Sequence, residues 1–200
     1  LVHPSGRRIL DVGYGEISAD LSGLGIHRAT LFAALHEAML ASGATVVPGT
    51  SVSGVARSAD GRPMAVTAGG GDAPADLLVD ASGARSALRP AVGHHRPPRP
   101  FRHGALWTTV AIAGTPFEST VLAQRYVAAR QMVGVMPVGA VPGREGPYEA
   151  FFWSIAADRV EAWRARGIPA WKADVAEIWP EAASLLGAIA SPDALVPAFY

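Results

Sequence analysis

Apolar residues recur at helical spacing most clearly at Leu31, Phe32, Leu35, Met39 and Leu40, after Gly25-Ile26-His27-Arg28 and before Gly43. This spacing predicts a helix beginning near Ala29, with one face buried and a glycine stop. Residues 44–47 and 51–56 read as short strands, and Ala59-Asp60-Gly61-Arg62 as a turn into an alternating run over 64–67. Gly69-Gly70-Gly71, with Asp72 and Pro74, is a turn that lacks the preceding strand and following helix of a phosphate loop. The continuous apolar run Leu77-Leu78-Val79 predicts a strand covered on both faces, so this half reads as an α/β unit.

From residue 94 to 103 the chain runs His-His-Arg-Pro-Pro-Arg-Pro-Phe-Arg-His, a stiff connector whose proline-adjacent positions resist helix. A domain boundary is placed there, dividing residues 1–95 from 96–200. Beyond it, 105–113, 120–136 and 148–155 are rich in Val, Thr, Tyr, Phe and Trp, which suits an antiparallel sheet. Helical patterns follow over 160–166, from Pro169 to residue 179, and briefly over 185–189.

Composition narrows the function classes. With 17 Lys+Arg against 17 Asp+Glu in 200 residues, the chain has no overall field for a polyanion, and no nucleic-acid partner is expected. The absence of cysteine excludes a disulfide framework, a thiolate zinc site and a cysteine nucleophile. No apolar run approaches the roughly 18 residues of a membrane span. Leu1 opens into His3-Pro4-Ser5-Gly6 without the apolar core of a signal peptide, so a cytoplasmic location is expected. Half the residues are hydrophobic and 17% charged, which suggests apolar surface beyond what the chain alone covers.

Arg28 is the most informative charge. A cation where a helix begins is locally unfavourable, because the exposed N–H groups and dipole end there are positive. It either helps the helix end to bind an anion such as a phosphate or is a solvated arginine of small cost. Ser82-Gly83, just after the apolar run, is either a close backbone approach to a ligand or a tight turn. Arg85 and Arg89 could add to an anion site or be solvated. Metal chemistry fails on spacing: His36-Glu37 starts an H-E-x-x-H pattern, but Leu40 stands where the second histidine belongs. No G-x-S-x-G elbow exists, and Gly13-Tyr14-Gly15 does not continue as a dinucleotide fingerprint. Among five tryptophans, Trp107 and Trp153 lie on predicted strands where they could line a pocket.

Taken together, Gly25-Ile26-His27-Arg28-Ala29-Thr30-Leu31 and the run from Asp76 to Arg89 resemble two motifs of the class A flavoprotein monooxygenases, the family of p-hydroxybenzoate hydroxylase. Gln124-Arg125-Tyr126, Gly134-Val135-Met136-Pro137-Val138-Gly139 and Phe152-Trp153-Ser154 resemble the substrate domain of the same family. The resemblance implies an α/β plus α+β architecture, with a partial FAD-binding domain followed by a mostly antiparallel substrate domain. It implies FAD, NAD(P)H as reductant, molecular oxygen, and hydroxylation of a small aromatic or other organic substrate through a flavin hydroperoxide. Arg28 matches the FAD-contacting arginine of the family, Val52 the residue whose backbone meets the adenine, and Ser82 and Gly83 an Asp-Gly pair near the cofactor. Ser82 departs from that pattern by removing a carboxylate. Neither the N-terminal G-x-G-x-x-G nor the C-terminal G-D motif occurs, so the sequence is expected to be the middle of such an enzyme. Trp107, Met136 and Phe152 are the candidate substrate-pocket residues, and no side chain is assigned as acid or base. A related flavin reductase or halogenase, or a flavin-free small-molecule binding or interaction domain of this fold, remains the alternative.

Overall fold

The computed structural model describes residues 1–3, 5–70, 74–83, 85–93, 96–97, 99–112, 116–128 and 130–199. Gly71, Asp72, Ala84, His94, His95 and residue 113, named in the patterns above, lie outside the described residues. In chain order the principal elements are α1 (Arg28–Ala41), β1 (Val52–Arg57), β2 (Pro63–Thr67), β3 (His103–Ala111), β4 (Ala123–Val127), β5 (Gln131–Ala140), β6 (Pro147–Ala156), α2 (Val160–Ile178), α3 (Pro180–Ala183) and β7 (Val196–Ala198). They fall into two units, Leu1–Ala38 with Phe101–Tyr200, and Met39–Pro100.

The first unit carries an antiparallel sheet of order β4-β5-β6-β3-β7. Alternation along its strands separates two faces. Leu106, Trp153 and Val133 stand opposite one another on one face, and Trp107, Phe152 and Gly134 on the other. The first face packs against α2 and α3 to form the main core, in which Leu106, Val133 and Phe151 are fully buried. Trp171 of α2 is 1% exposed, and the rings of Phe151, Trp153 and Trp163 meet it edge-on with centroids 5.8, 6.3 and 6.3 Å away. Edge-to-face rings at this spacing add to the gain from area burial alone.

The two helical patterns expected over 160–179 join in α2, broken at Gly167, whose φ of 79° and ψ of 166° are non-helical, with Pro169 following. Arg166 and Asp174 face each other across the break at 2.8 Å. The strand-like stretch 120–136 divides into β4 and β5, with Ala128 at φ 48° between them. The stretch expected to be helical at 185–189 is instead a short 3-10 turn, Ser184–Leu186. The sequence pattern gave no sign of β7: three residues including a proline are too few to show alternation.

The second unit holds one ladder, the β1–β2 hairpin, closed by a turn in which Asp60 accepts hydrogen bonds from Ser58 Oγ and from Arg62 Nε at 2.8 Å. Two expected strands do not form there. Residues 44–47 and 77–79 have no ladder, and Leu77 and Val79 are 75% and 72% exposed rather than covered on both faces. An apolar run becomes a strand only when a neighbour takes its N–H and C=O groups, and among the described residues of this unit the β1–β2 ladder is joined only by the single Met64–Pro74 bridge. The expected α/β unit is therefore not closed here. Nor is one face of α1 buried as its spacing predicts: it has no buried residue, and Leu31, Phe32, Leu35 and Leu40 are all exposed. Periodicity sets the helix, but burial needs a partner surface, and these side chains stay 43–67% exposed.

Candidate functional site

Residues 25–30 owe their position to the end of β5. β4 pairs with β5 only from Gln131 to Val135, and the β5–β6 register slips between Pro137 and Gly139, leaving Val138 as a bulged residue. The outer edge of β5 beyond β4 is where the motif docks. His27 N donates to Val138 O at 3.0 Å, and Thr30 Oγ1 donates to Ala140 O at 2.7 Å. Gly25 lies so close that a Cβ on it would stand 2.1 Å from Pro137 O and 3.6 Å from Met136 Cγ. Only glycine permits this approach.

His27 also organises the helix start. Its Nδ1 accepts from Ala29 N at 3.2 Å and its carbonyl from Leu31 N at 3.0 Å, so it acts as the cap, and Arg28 is the first helical residue. Arg28 is exposed at the N-terminal end of the fourteen-residue α1.

Met136 shares a sheet face with Trp107, Phe152 and Gly134. The Trp107 and Phe152 rings lie 4.7 Å apart at 32°. Phe152 is 7% exposed and crosses directly over Gly134, whereas Trp107 and Met136 are half-buried. The first unit thus brings Arg28, at its docked motif, into the same assembly as Met136, Trp107 and Phe152. Trp153 lies on the opposite face, inside the core.

Val52, Ser82 and Gly83 belong to the second unit. Val52 opens β1 at a bulge and is 37% exposed. Ser82 donates to Asp80 Oδ1 through its hydroxyl at 2.6 Å and its amide at 3.1 Å, and Ser86 Oγ donates to Asp80 Oδ2 at 2.5 Å. These hydrogen bonds, Ser82 first and then Ser86, hold the Asp80 carboxyl below the ordinary 3.8, with the charge of Arg89 adding a smaller pull. Gly83 sits at φ 93° with open space where a Cβ would stand, and its carbonyl accepts from Ser86 N at 3.1 Å. The tight-turn reading of Ser82-Gly83 accounts for this geometry; Arg85 is exposed and Arg89 half-buried.

Sequence reasoning missed three contributors. His27 and Thr30 lie inside the quoted motif, and a Thr three residues into a helix gave no sign of bonding to a distant strand. Asp80 stands two residues before Ser82, the spacing at which an Asp commonly binds the following backbone, and that signal was available. Among the described residues no cluster of His, Asp or Glu could hold a metal ion, and no helix is long and apolar enough to cross a membrane.

No family model matches the sequence. No curated protein matches it. Among solved structures, the chain is similar to CmlS, a flavin-dependent halogenase, with TM-score 0.58 and 17% identity over 88% of this chain and 30% of that one. It is also similar to the halogenase PltM, with TM-score 0.52 and 14% identity over 84% of this chain and 34% of that one. At such identities the likeness is one of fold, a mixed α/β arrangement with antiparallel sheets. The chain spans about a third of the length of each of these proteins, at 30% and 34%.

Proposed function

We propose that this chain forms the central part of an FAD-dependent oxidative enzyme, with residues 1–95 contributing to the FAD-binding domain and 96–200 forming the substrate domain. The observation that carries the reading is the docking of residues 25–30 on the β5 edge. It ties Arg28, at the start of α1, to the sheet face bearing Met136, Trp107 and Phe152. A cation exposed beside the N–H groups of a helix end can bind a phosphate together with them.

In this reading Arg28 and the first turn of α1 bind a cofactor phosphate, and the Val52 backbone meets the adenine. Ser82 and Gly83 border the cofactor path, held in a fixed turn by Asp80. Bound at these residues, FAD would supply the redox chemistry, a two-electron transfer between NAD(P)H and molecular oxygen. Trp107 and Met136, half-exposed on their face, orient a small organic substrate, and Phe152 supports the Trp107 ring from beneath. Their apolar surface excludes water, which protects a reactive oxidant from side reactions. Hydroxylation is the primary reading. Halogenation is the second, favoured by the fold shared with CmlS and PltM.

The protein expressed from its complete gene is expected to purify with flavin absorption in the visible. Turnover of NAD(P)H, oxygen and an aromatic substrate panel, with and without chloride or bromide, then separates the two readings by product. Hydroxylated products regardless of halide support the first, and halide incorporation the second. A colourless protein that takes up no FAD overturns both and leaves the flavin-free binding domain.

A further inference from the structure

A groove of about 380 Å³ runs between α2 and the strand ends on the helix-packed side of the sheet, away from the Trp107 and Met136 face. His103, Arg130, Gln131, Ser154, Arg159 and Arg166 supply its polar lining. Its one carboxylate, Asp174, is paired with Arg166 at 2.8 Å, and Glu177 lines the adjoining hollow. Arg130 and Arg159 have no ion pair among the described residues.

The neutral groups carry the same bias. Ser154 Oγ accepts from Met132 N at 2.7 Å and from Gln131 Nε2 at 3.2 Å, so its own proton is left to donate, and no described residue accepts it. Gln131 Nε2 further donates to Ser154 O at 2.7 Å, which fixes its amide in the groove wall. Trp163 in the same wall is 6% exposed, and its buried Nε1 has no acceptor among the described residues. A site with surplus donors and unpaired cations suits a ligand that offers only acceptors and negative charge.

We propose that this groove binds the oxyanion of a small molecule, a carboxylate or a phosphate, through Arg130, Arg159 and the Ser154 hydroxyl. The volume leaves room for a small organic body beside the charged group. The site is independent of the flavin reading, since none of its residues contributes to the proposed cofactor or substrate surfaces. Carboxylate and phosphate differ in charge and number of acceptors, so two probes separate them.

The test is an NMR titration of the protein without flavin, using inorganic phosphate in one arm and benzoate in the other, at low ionic strength. Saturable shifts of the Gln131 and Ser154 amides are expected in at least one arm, and the tighter arm identifies the ligand class. The double variant R130Q/R159Q is expected to weaken that binding about tenfold, in keeping with the loss of two charge-assisted contacts. Arg144→Gln, whose guanidinium lies over the Tyr148 ring, leaves it unchanged. An inert salt at high concentration weakens binding through screening. Absence of saturable shifts in both arms overturns the proposal, as does a double variant with an unchanged unfolding midpoint and unchanged affinity. If the double variant does not fold, the single variants R130Q and R159Q carry the same test, each with a several-fold loss expected.

Discussion

The sheet-and-helix part of the first unit and the stretch from α1 through the β1–β2 hairpin use similar amounts of apolar sequence to opposite ends. In the first, apolar positions on the helix-packed sheet face find helices to cover them, and Phe151, Leu106 and Val175 reach 0% exposure. In the second, Phe32 at 67%, Leu35 at 61% and Val47 at 66% stay in solvent. The difference teaches that hydrophobic periodicity specifies an element, whereas burial is a property of two surfaces. A soluble monomer seldom presents many large apolar side chains together unless they face a partner or ligand. The flavin reading places Arg28 and the first turn of α1, beside these side chains, at the cofactor.

The contrast can be broken most sharply in the core. Trp171→Ala removes the ring that Phe151, Trp153 and Trp163 pack against, and a loss of about 3–5 kcal/mol is expected in denaturant unfolding. A loss under about 1 kcal/mol would mean that the helix layer does not carry the stability of this unit. Next in size is Gly134→Ala, whose new Cβ would stand 1.9 Å from the Phe152 ring. About 1–3 kcal/mol is expected, together with displaced Phe152 and Trp107 ring resonances, because a packed ring must shift. His27→Ala removes the cap of α1 and should cost on the order of 0.5–2 kcal/mol. His27→Asn, which keeps an acceptor, should restore most of it, and failure of that rescue would show that the ring matters through packing instead.

Legibility in the sequence followed the same division. The helix at 28–41 was readable from its spacing, the strands of 103–156 from β-branched and aromatic enrichment, and the two arms of α2 from their helical patterns and from Pro169 as a first helical residue. Those signals are local, and the structure satisfies them locally. The fates of Leu77-Leu78-Val79 and of the α1 face were not readable, because ladder partners and covering surfaces are long-range facts. Of the candidate site, Arg28 at a helix start and Trp107, Met136 and Phe152 on strands were legible. Their connection through Gly25, His27 and Thr30 to the free edge of β5 was not, since it depends on where β4 stops.

Smaller effects test the exposed stretch. Because hydrogen bonds from Ser82 and Ser86 lower the folded-state value of Asp80, its contribution is present above the ordinary carboxylate value of 3.8 and is lost as pH falls through the folded one. Hydrogen exchange at the Ser82 amide should therefore be slowed at neutral pH and lose that protection in acid. Asp80→Ala should lose it at all pH values; identical protection in wild type and variant would show that the turn stands without the carboxylate. Smallest of all, Phe32→Ala should change the stability of the isolated chain by no more than about 0.5 kcal/mol, as at other exposed positions. A cost matching that of Trp171→Ala would erase the distinction between the two regions.

The most direct measurement is FAD affinity of the protein expressed from its complete gene, wild type against Arg28→Ala, read by flavin fluorescence alongside the unfolding midpoint. The flavin reading predicts bound FAD in the wild type and about tenfold weaker binding in the variant, the scale of one lost charge-assisted contact, with an unchanged midpoint. Equal FAD affinity in a folded Arg28→Ala protein would contradict the role of Arg28 at the helix start, and no FAD binding by the wild type would contradict the flavin reading as a whole.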